Sequence, residues 1–416
     1  MEAQVIQWVT QCFEALPTRG KPKPTEWTVL AAALAVIDDK VVRLLALTTG
    51  TKCVGKDKLA DDGGVVNDCH AEVLARRALK RFLLREAQAV LEGRPSCFLS
   101  VAASDSSCEA PKDTQARQDS QQPRRVLKVK DSIKFLLFIS ETPCGDASIY
   151  TVDDGESAAA ADCRSVSEIG TAAPSRQRLN IMRETGAKPI ASQGEDTATS
   201  THLCQSAGVL RTKSARSDTL ESRRTVCMCC SDKIAQWVRL GFQGSLLSFL
   251  LDTPQRFSNL ILAVGGSAAG PTSDLIDAKQ HRMWTSAVLK STARAVLRGV
   301  GRGSDVVPPS VYVDTRTKFC HSRRAVQWRL HQVANTRAGV DISASNSKRA
   351  KRQQKVSACG TSIVWIHLPG VPASAQNATV KLKSLTQFGE QEVLVSAHGL
   401  KQGAKKRKRA EPTNAK

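Results

Sequence analysis

The sequence lacks the features of membrane proteins and of secreted, disulfide-bonded proteins. No segment approaches the ~20 consecutive apolar residues that a membrane span needs. Residues 1–17 are amphipathic and carry acidic side chains, whereas a secretory signal has a basic start and an apolar run. The 13 cysteines are odd in number and have no disulfide-like spacing, which suits a reducing compartment. We therefore expect a cytoplasmic and/or nuclear protein without a membrane partner.

Acidic and aromatic residues are also scarce. The chain of 416 residues has 39 acidic against 60 basic side chains, a net charge of +21, and only 4% aromatic residues. Such an excess of positive charge attracts polyanions such as nucleic acids over long distances. So few aromatic rings do not indicate a base-stacking surface. The composition therefore favours a phosphate-rich partner without saying which one.

Three cysteine- and histidine-containing motifs follow one another along the chain. His70 and Glu72 form a His-x-Glu pair, Cys144 follows a proline, and further cysteines stand at positions 227, 229 and 230. An isolated His-x-Glu is usually an ordinary pair on a helix surface, and a cysteine in such a chain is usually a small buried residue. The order of the three motifs, however, is that of zinc-dependent nucleobase deaminases. The motifs together predict a zinc site with Glu72 as the proton carrier.

The third zinc ligand is left open by the motifs alone. In the compact deaminase signature a second cysteine follows the first by three residues, but here that position is Ala147. The ligand must then come from the later cluster, in which Cys227, Cys229 and Cys230 are all candidates. This wide separation is unusual for deaminases of free nucleosides.

Hydrophobic periodicity predicts an α/β fold. Apolar residues at helical spacing predict a helix over 70–91, which puts the His-x-Glu pair in its first turn. Apolar runs predict a helix or a strand at 27–37 and a strand at 41–47. They also predict strands at 134–140 and 246–251. Helices are expected to begin near Cys144 and at Cys230. The expected architecture is a mixed sheet with helices on both faces and zinc at helix N-termini.

We expect a single domain over residues 1–416 with its core at about 25–400. Residues 103–125 and 153–201 are poor in large apolar side chains, which is typical of exposed insertions or disordered loops without chemistry. Basic clusters lie at 348–355 and in the tail at 401–416. They are interpreted either as solvated lysine-rich segments or as import or RNA-holding signals.

Three segments carry a family resemblance. Residues Asn67–Glu72, Glu141–Asp146 and Met228–Trp237 resemble motifs of the RNA adenosine deaminase (A-to-I editase) domain, with supporting stretches at 48–53, 211–213 and 243–248. The resemblance extends over roughly residues 25–370. It is closer to the branch that acts at position 37 of alanine tRNA than to the editases of double-stranded RNA.

The resemblance implies a cytidine-deaminase-like fold and a role for each motif residue. His70, Cys144 and Cys230 would bind zinc, because the family's third ligand directly precedes Ser-Asp-Lys, and Glu72 would move protons. The implied reaction is hydrolytic deamination of adenosine to inosine in tRNA, with alanine tRNA as the expected partner and no obligate protein partner evident.

The resemblance also implies a buried inositol hexakisphosphate. The positions that match its contacts are Asn67, Arg76, Arg77, Lys233, Trp237 and Ser245. Asp68 and Lys213 match residues that would link this polyanion to the zinc site by hydrogen bonds. Gln236 stands where the family commonly has arginine, and the family's C-terminal helical contacts have no match here.

Three alternatives remain open. The first is deamination of other structured or double-stranded RNA, although the roughly 25 residues before the resemblance hold no double-stranded-RNA-binding module. The second is a non-catalytic, zinc-stabilised RNA-binding protein, for which Glu72 would have no use. The third is a cytidine deaminase of nucleic acid, which the context of Cys230 disfavours.

Overall fold

The fold is taken from a computed structural model that describes most of the predicted core. The described residues are 1–60, 62, 64–102, 126–152, 180–183, 186–190, 207–213, 220, 223–265, 278–300, 304–317, 319–327, 329–330, 356–366 and 393–396. The predicted insertion at 103–125, most of that at 153–201 and both basic clusters lie outside these ranges.

Five α-helices have defined bounds in these ranges. They are α1 (Glu2–Ala15), α2 (Ala71–Leu91), α3 (Cys230–Leu240), α4 (Gly244–Ser248) and α5 (Ala278–Leu297). None of the helices in the described ranges is both long and apolar enough to cross a membrane.

Seventeen strands are defined in the same ranges. They are β1 (Glu26–Trp27), β2 (Leu30–Ile37), β3 (Val41–Thr49), β4 (Thr51–Cys53), β5 (Asp68–His70), β6 (Leu99–Val101), β7 (Leu127–Val129), β8 (Ile133–Ile139), β9 (Ile149–Val152), β10 (Asn180–Arg183), β11 (Lys188–Pro189), β12 (Arg211–Thr212), β13 (Phe257–Ala263), β14 (Ser310–Asp314), β15 (Ser357–Ala358), β16 (Ser362–Ile366) and β17 (Val393–Val395).

Seven of these strands form one mixed sheet. Their order across the sheet is β14-β13-β8-β2-β3-β16-β17. Strands β8, β13 and β14 are parallel to one another, while the remaining neighbours pair antiparallel. The smaller strands β4 and β5 form a separate antiparallel pair that leads directly into α2. The predicted zinc ligands and Glu72 lie in β5, α2, α3 and the loop after β8, which are packed around this sheet.

Helices cover both faces of this sheet. Side chains alternate between the two faces along each strand, and the central strands carry apolar residues on both, so each face needs a cover. In β2, Leu30 and Leu34 belong to the hydrophobic cluster that includes α1. Ala31, Ala33 and Ala35 face the opposite cluster, which includes residues of α2, α3 and α5. The predicted α/β architecture, a mixed sheet with helices on both faces, is therefore confirmed.

Several predicted elements differ from those observed. Helix α2 begins at Ala71, so His70 is the residue before the helix rather than part of its first turn. Cys144 precedes only a short 3₁₀ turn, Asp146–Ser148, and no α-helix begins there. The loop before that turn is closed by hydrogen bonds to another helix, described below, and does not need an α-helix of its own.

One further prediction was wrong. The apolar run 246–251 is not a strand, since residues Gly244–Ser248 form helix α4; a short apolar run fits either structure by periodicity alone. In the described part of segment 153–201, strand β10 pairs with β9 and Ala187 is buried. The prediction of an exposed insertion there stays a prediction.

Phe82 tests the packing of α2 on the sheet. Its side chain is fully buried, and its ring meets that of Phe98 edge to face at 4.9 Å between centroids. Replacement of Phe82 by alanine should lower the free energy of unfolding by about 3–5 kcal/mol, because it leaves a cavity in a close-packed core. Chemical denaturation of the purified protein measures this loss. Leu91→Ala, at the exposed end of the same helix, should change it by less than about 0.5 kcal/mol; equal effects of the two variants would contradict the packing described here.

Candidate active site

His70 and Glu72 are positioned where β5 meets α2. The N–H of Ala71 donates to the carbonyl of Gly50 at 3.0 Å, and the hydroxyl of Thr48 donates to the carbonyl of Ala71 at 2.7 Å. These hydrogen bonds fix the start of helix α2 against strand β3 and against Gly50, which lies in the turn after β3. The imidazole therefore sits at the helix N-terminus, with the carboxylate in the first turn.

The Cys144 loop is held by the N-terminus of α3. The N–H of Ser231 donates to the carbonyl of Cys144 at 3.0 Å, and the Ser231 hydroxyl accepts from the N–H of Ala147 at 3.0 Å. The N–H of Cys230 points at the Cys144 sulfur at 3.3 Å. Gly145 has φ 106°, and a β-carbon there would lie 2.2 Å from the sulfur of Cys229. The Pro-Cys-Gly and Cys-Ser-Asp motifs therefore interlock.

These two junctions bring three metal-binding side chains together. His70 Nδ1 lies 3.9 Å from Cys144 Sγ and 3.6 Å from Cys230 Sγ, and all three atoms are within 4.8 Å of one another. One imidazole and two thiols are a ligand set that zinc accepts, and three protein ligands leave a fourth position for water or substrate. The donor chemistry therefore fits the predicted zinc ion.

The other candidate ligands have different partners. The Cys229 thiol is buried and donates to Asp232 Oδ2 at 2.9 Å. Cys227 lies in a separate group with Cys53 and Asp68. Of the three clustered cysteines, Cys230 is the one that reaches His70.

Glu72 provides a buried carboxylate beside this triad. Its Oε1 lies 4.0 Å from His70 Nδ1, and the residue is only 3% exposed. Its Oε2 has no hydrogen-bond partner among the described residues. A buried carboxylate oxygen without a partner is costly in a purely structural role, so its position favours a task that involves a bound molecule.

The two thiols and Lys213 perturb one another. The hydrogen bond from Cys230 lowers the pKa of Cys144 well below its usual value, aided by the charges of Lys213 and His70. Burial raises the pKa of the Cys230 thiol well above its usual value. Burial opposes the charge of Lys213, but the negative groups around it raise its pKa. The surroundings thus stabilise negative charge on the Cys144 sulfur, the form in which a thiol binds zinc, and disfavour it on the Cys230 sulfur.

Asp68 and two lysines form an ion-pair group next to the triad. Lys213 Nζ lies 2.9 and 2.7 Å from the two carboxylate oxygens, and Lys233 also donates to Asp68. Burial would raise the pKa of Asp68, but the charges of Lys213, His70 and Lys233 hold it well below its usual range. Asp68 Oδ1 also accepts the N–H of His70 at 3.0 Å. The two residues predicted to link the zinc site to a polyanion are therefore in contact.

Arg76 is partly buried against Trp237, which is itself a predicted polyanion contact. Its guanidinium lies over the ring of Trp237, 5.2 Å from the centroid, and its Nε is buried without a hydrogen-bond partner in the described ranges. Burial and the charge of Arg77 lower the pKa of Arg76 to about 10. Burial, Arg76 and Arg77 likewise lower the pKa of Lys80. These perturbations mark a concentration of positive charge.

The remaining predicted contacts are more dispersed. Arg77 and Ser245 are exposed, and Lys233 is occupied by Asp68. Asn67 Oδ1 is buried and without a hydrogen-bond partner among the described residues. Only Arg76 and Trp237 thus form the compact arrangement that the resemblance implies.

A cavity of about 270 Å³ opens onto the triad. Residues from six separate segments line it: Thr51, Lys52, Cys53, Gly55, His70, Cys144, Gly186, Ala187, Lys213, Arg223 and Thr225. Most of these were not predicted, because they are distant in sequence and carry no motif of their own. Lys52 and Arg223 give its wall a positive character that suits a phosphate-bearing ligand.

Comparison with known proteins agrees with these motifs. The tRNA-specific adenosine deaminase 1 of Drosophila melanogaster is 34% identical over 261 residues, which is 62% of this chain and 54% of that protein. The protein of the same name from Homo sapiens is 27% identical over 347 residues, covering 60% of this chain and 64% of that protein. The double-stranded RNA-specific editase Adar of Drosophila melanogaster is 28% identical over 211 residues, covering 50% and 25%. The chain therefore spans less than two thirds of the length of these relatives.

The family comparison covers the whole candidate site. The model of the adenosine-deaminase (editase) domain matches residues 46–291, which is more than half of the chain. This range includes the His70, Cys144 and Cys230 triad and the Glu72 carboxylate. The chain is thus a member of the adenosine-deaminase (editase) domain family.

Proposed function

We propose that this protein is a zinc-dependent enzyme that hydrolyses adenosine to inosine in tRNA, at position 37 beside the anticodon of alanine tRNA. The observation that carries this proposal is the buried Glu72 carboxylate, with one unpartnered oxygen, beside the His70, Cys144 and Cys230 triad. A non-catalytic zinc site would instead use a fourth protein ligand and no free carboxylate.

His70, Cys144 and Cys230 would hold the metal. Zinc, when bound there, acts as a Lewis acid that lowers the pKa of a water molecule towards neutrality. His70 must be neutral and both thiols deprotonated to ligate it. The hydrogen bond that Cys144 Sγ accepts from the N–H of Cys230 stabilises the thiolate form.

Glu72 would carry the protons. Its carboxylate takes a proton from the attacking water and delivers it to N1 of adenine as the C6–O bond forms. The proton of the new C6 hydroxyl group then goes to the C6 amino group, which leaves as ammonia when the C–N bond breaks. One water is consumed, one ammonia is released and Glu72 is regenerated. Because Glu72 is buried, the hydrogen bonds of its carboxylate to water and to the adenine are stronger than they would be in bulk water.

The RNA would present an adenine that is already outside a helix. C6 of a stacked base cannot reach a cavity of about 270 Å³, whereas a base in an anticodon loop is unstacked at low cost. Lys52 and Arg223 on the cavity wall, and the net charge of +21, favour phosphate contacts. The two relatives described as tRNA-specific support a tRNA substrate, and the motif resemblance supports alanine tRNA.

We also propose that Arg76, Lys80 and Trp237 contact inositol hexakisphosphate. The unpartnered Nε of Arg76 and the mutual repulsion of Arg76 and Lys80 would both be relieved by a phosphorylated polyanion. Lys233 and Asp68 would connect this region to the zinc ligands through Lys213.

Glu72→Gln tests the mechanism. Inosine formation in an alanine tRNA transcript should fall by about 10²–10⁴-fold, because the amide cannot carry protons, while zinc content stays at the wild-type level. Reverse transcription reads inosine as an adenosine-to-guanosine change. Glu86→Gln, in the same helix, is the matched control, since its amide oxygen can still accept the hydroxyl of Ser96.

Two results would separate the alternatives. Full activity of Glu72→Gln would refute Glu72 as the proton carrier. Absence of inosine from the wild-type protein, with zinc and RNA both bound, would instead favour the non-catalytic RNA-binding alternative. His70→Ala should lose zinc and activity together, which distinguishes failure of the metal site from failure of proton transfer.

The substrate is tested by competition between RNAs. An alanine tRNA transcript should be deaminated at the base 3′ of its anticodon, and the same transcript with guanosine at that position should yield no inosine. A long RNA duplex of equal adenosine content should react more slowly, because each target base must first be unpaired and unstacked. Preferential deamination of the duplex would favour the alternative substrate class.

Arg76→Gln tests the polyanion. Inositol hexakisphosphate should raise the melting temperature of the wild-type protein, because a ligand bound only by the folded state stabilises it by about 2.7 kcal/mol at 100 times its Kd. The increase should be lost in Arg76→Gln and kept in Arg81→Gln, whose exposed side chain lies on the same helix. An unchanged increase in Arg76→Gln would place the polyanion elsewhere.

A further inference from the structure

A second group of sulfur ligands lies beside the cavity. The sulfurs of Cys53 and Cys227 and a carboxylate oxygen of Asp68 are all within 4.8 Å of one another. Cys53 ends strand β4, and Cys227 lies three residues before the Cys230 ligand. The proposed deamination uses neither thiol, so the pair needs its own explanation.

The surroundings of Asp68 disfavour a second metal ion. Its carboxylate is already bonded to Lys213 and Lys233. A cation at this position would sit next to two ammonium groups and compete with them for the same oxygens. The remaining chemistry of the group is therefore that of two thiols.

The two thiols are unequal in a way that favours exchange. The hydrogen bond that the Cys53 thiol can donate outweighs burial and lowers the pKa of Cys227 to about 6. The same contact, together with burial, raises the pKa of Cys53. Thr225 holds both residues, since its Oγ1 lies 3.2 Å from Cys53 Sγ and accepts the N–H of Cys227 at 3.2 Å. Such a thiolate and thiol pair combines a nucleophile with a resolving group.

The pair is also accessible to small molecules. Cys53 lines the same cavity as His70 and Cys144, and both Cys53 and Cys227 are only partly buried. A small disulfide that enters from solvent can therefore reach the sulfurs.

We propose that Cys53 and Cys227 form a reversible disulfide that regulates the neighbouring site. The oxidant is a low-molecular-weight disulfide of the glutathione type. The Cys227 thiolate attacks one of its sulfurs and displaces one thiolate. Cys53 then gives up its proton and attacks the Cys227 sulfur, which forms the protein disulfide and releases the second thiolate. The protein loses two hydrogens, and one small disulfide becomes two thiols.

The disulfide would connect strand β4, which pairs with the strand that ends at His70, to the segment that leads into Cys230. Cys53 pairs with Asp68 in the β4–β5 register, two residues from His70. The carbonyl of Cys227 accepts the N–H of Lys213 at 2.8 Å. A disulfide requires the sulfurs to be about 2.0 Å apart, so its formation pulls on both segments and on the ion pair between Asp68 and Lys213. The effect on activity rests on the proposed deamination, whereas formation of the disulfide does not.

Peptide mapping tests the disulfide directly. The zinc-loaded full chain is equilibrated with mixtures of reduced and oxidised glutathione, alkylated and digested with trypsin without reduction. Mass spectrometry should find peptide Cys53–Lys56 joined to Thr225–Lys233 through Cys227. Cys227→Ser and Cys53→Ser should each abolish the joined peptide, and Cys97→Ser, at an exposed cysteine, should retain it.

The deamination assay tests the consequence. Oxidation should reduce the wild-type rate by about fivefold or more, with recovery on addition of dithiothreitol, because coupling between neighbouring sites commonly has this size. Cys227→Ser should keep its rate under the same oxidising mixture.

Two outcomes would overturn the proposal. One is absence of the joined peptide at every glutathione ratio while zinc stays bound. The other is a second equivalent of zinc that is lost in Cys227→Ser, which would make the group a metal site instead. A chain that never deaminates RNA but still forms the joined peptide would refute the proposed function and leave the disulfide intact.

Discussion

The site depends on one junction between distant parts of the chain. The N-terminus of α3 donates hydrogen bonds to the loop after β8, through Ser231 to the Cys144 carbonyl and through the Cys230 N–H to the Cys144 sulfur. Free N–H groups at a helix N-terminus need acceptors in any case. Here the acceptors belong to Cys144, so satisfying the helix end also fixes Cys144 and Cys230 relative to each other. His70 joins them from the residue before α2.

Charge organises the region behind this junction. Asp68 accepts from two lysines and from the N–H of His70, so a single buried carboxylate links β5 to α3 and to Lys213, the residue after β12. Such a group is stable only when its members are all present, because removal of one leaves an unpaired buried charge. Asp68 also lies within 4.8 Å of the Cys53 and Cys227 sulfurs, so the same carboxylate adjoins both groups of sulfur atoms.

Local sequence patterns predicted the parts of the site that depend on local structure. Glu72 lies in the first turn of a strongly periodic helix and Cys230 begins another, as predicted, while His70 lies one residue before the helix instead of in its first turn. The choice of Cys230 over Cys227 and Cys229 came from the family resemblance and not from a local pattern. The loop after Cys144 was predicted as a helix start because its stability comes from α3, which no local pattern reveals. The pairing of Cys53 with Cys227 could not be predicted for the same reason. It depends on how β4 meets a segment far along the chain.

The alanines of β2 set the distance between the sheet and the active-site helix. Ala31, Ala33 and Ala35 are completely buried on the face covered by α2, whereas the α1 face of the same strand carries Leu30 and Leu34 beside Ala32 and Val36. Methyl side chains let α2 approach the sheet closely, and the height of its first turn fixes that of His70. Larger side chains on this face would raise the helix and move the imidazole away from the two sulfurs. The row of alanines therefore acts as a spacer, and its thickness sets how near the His70 imidazole comes to the Cys144 and Cys230 sulfurs.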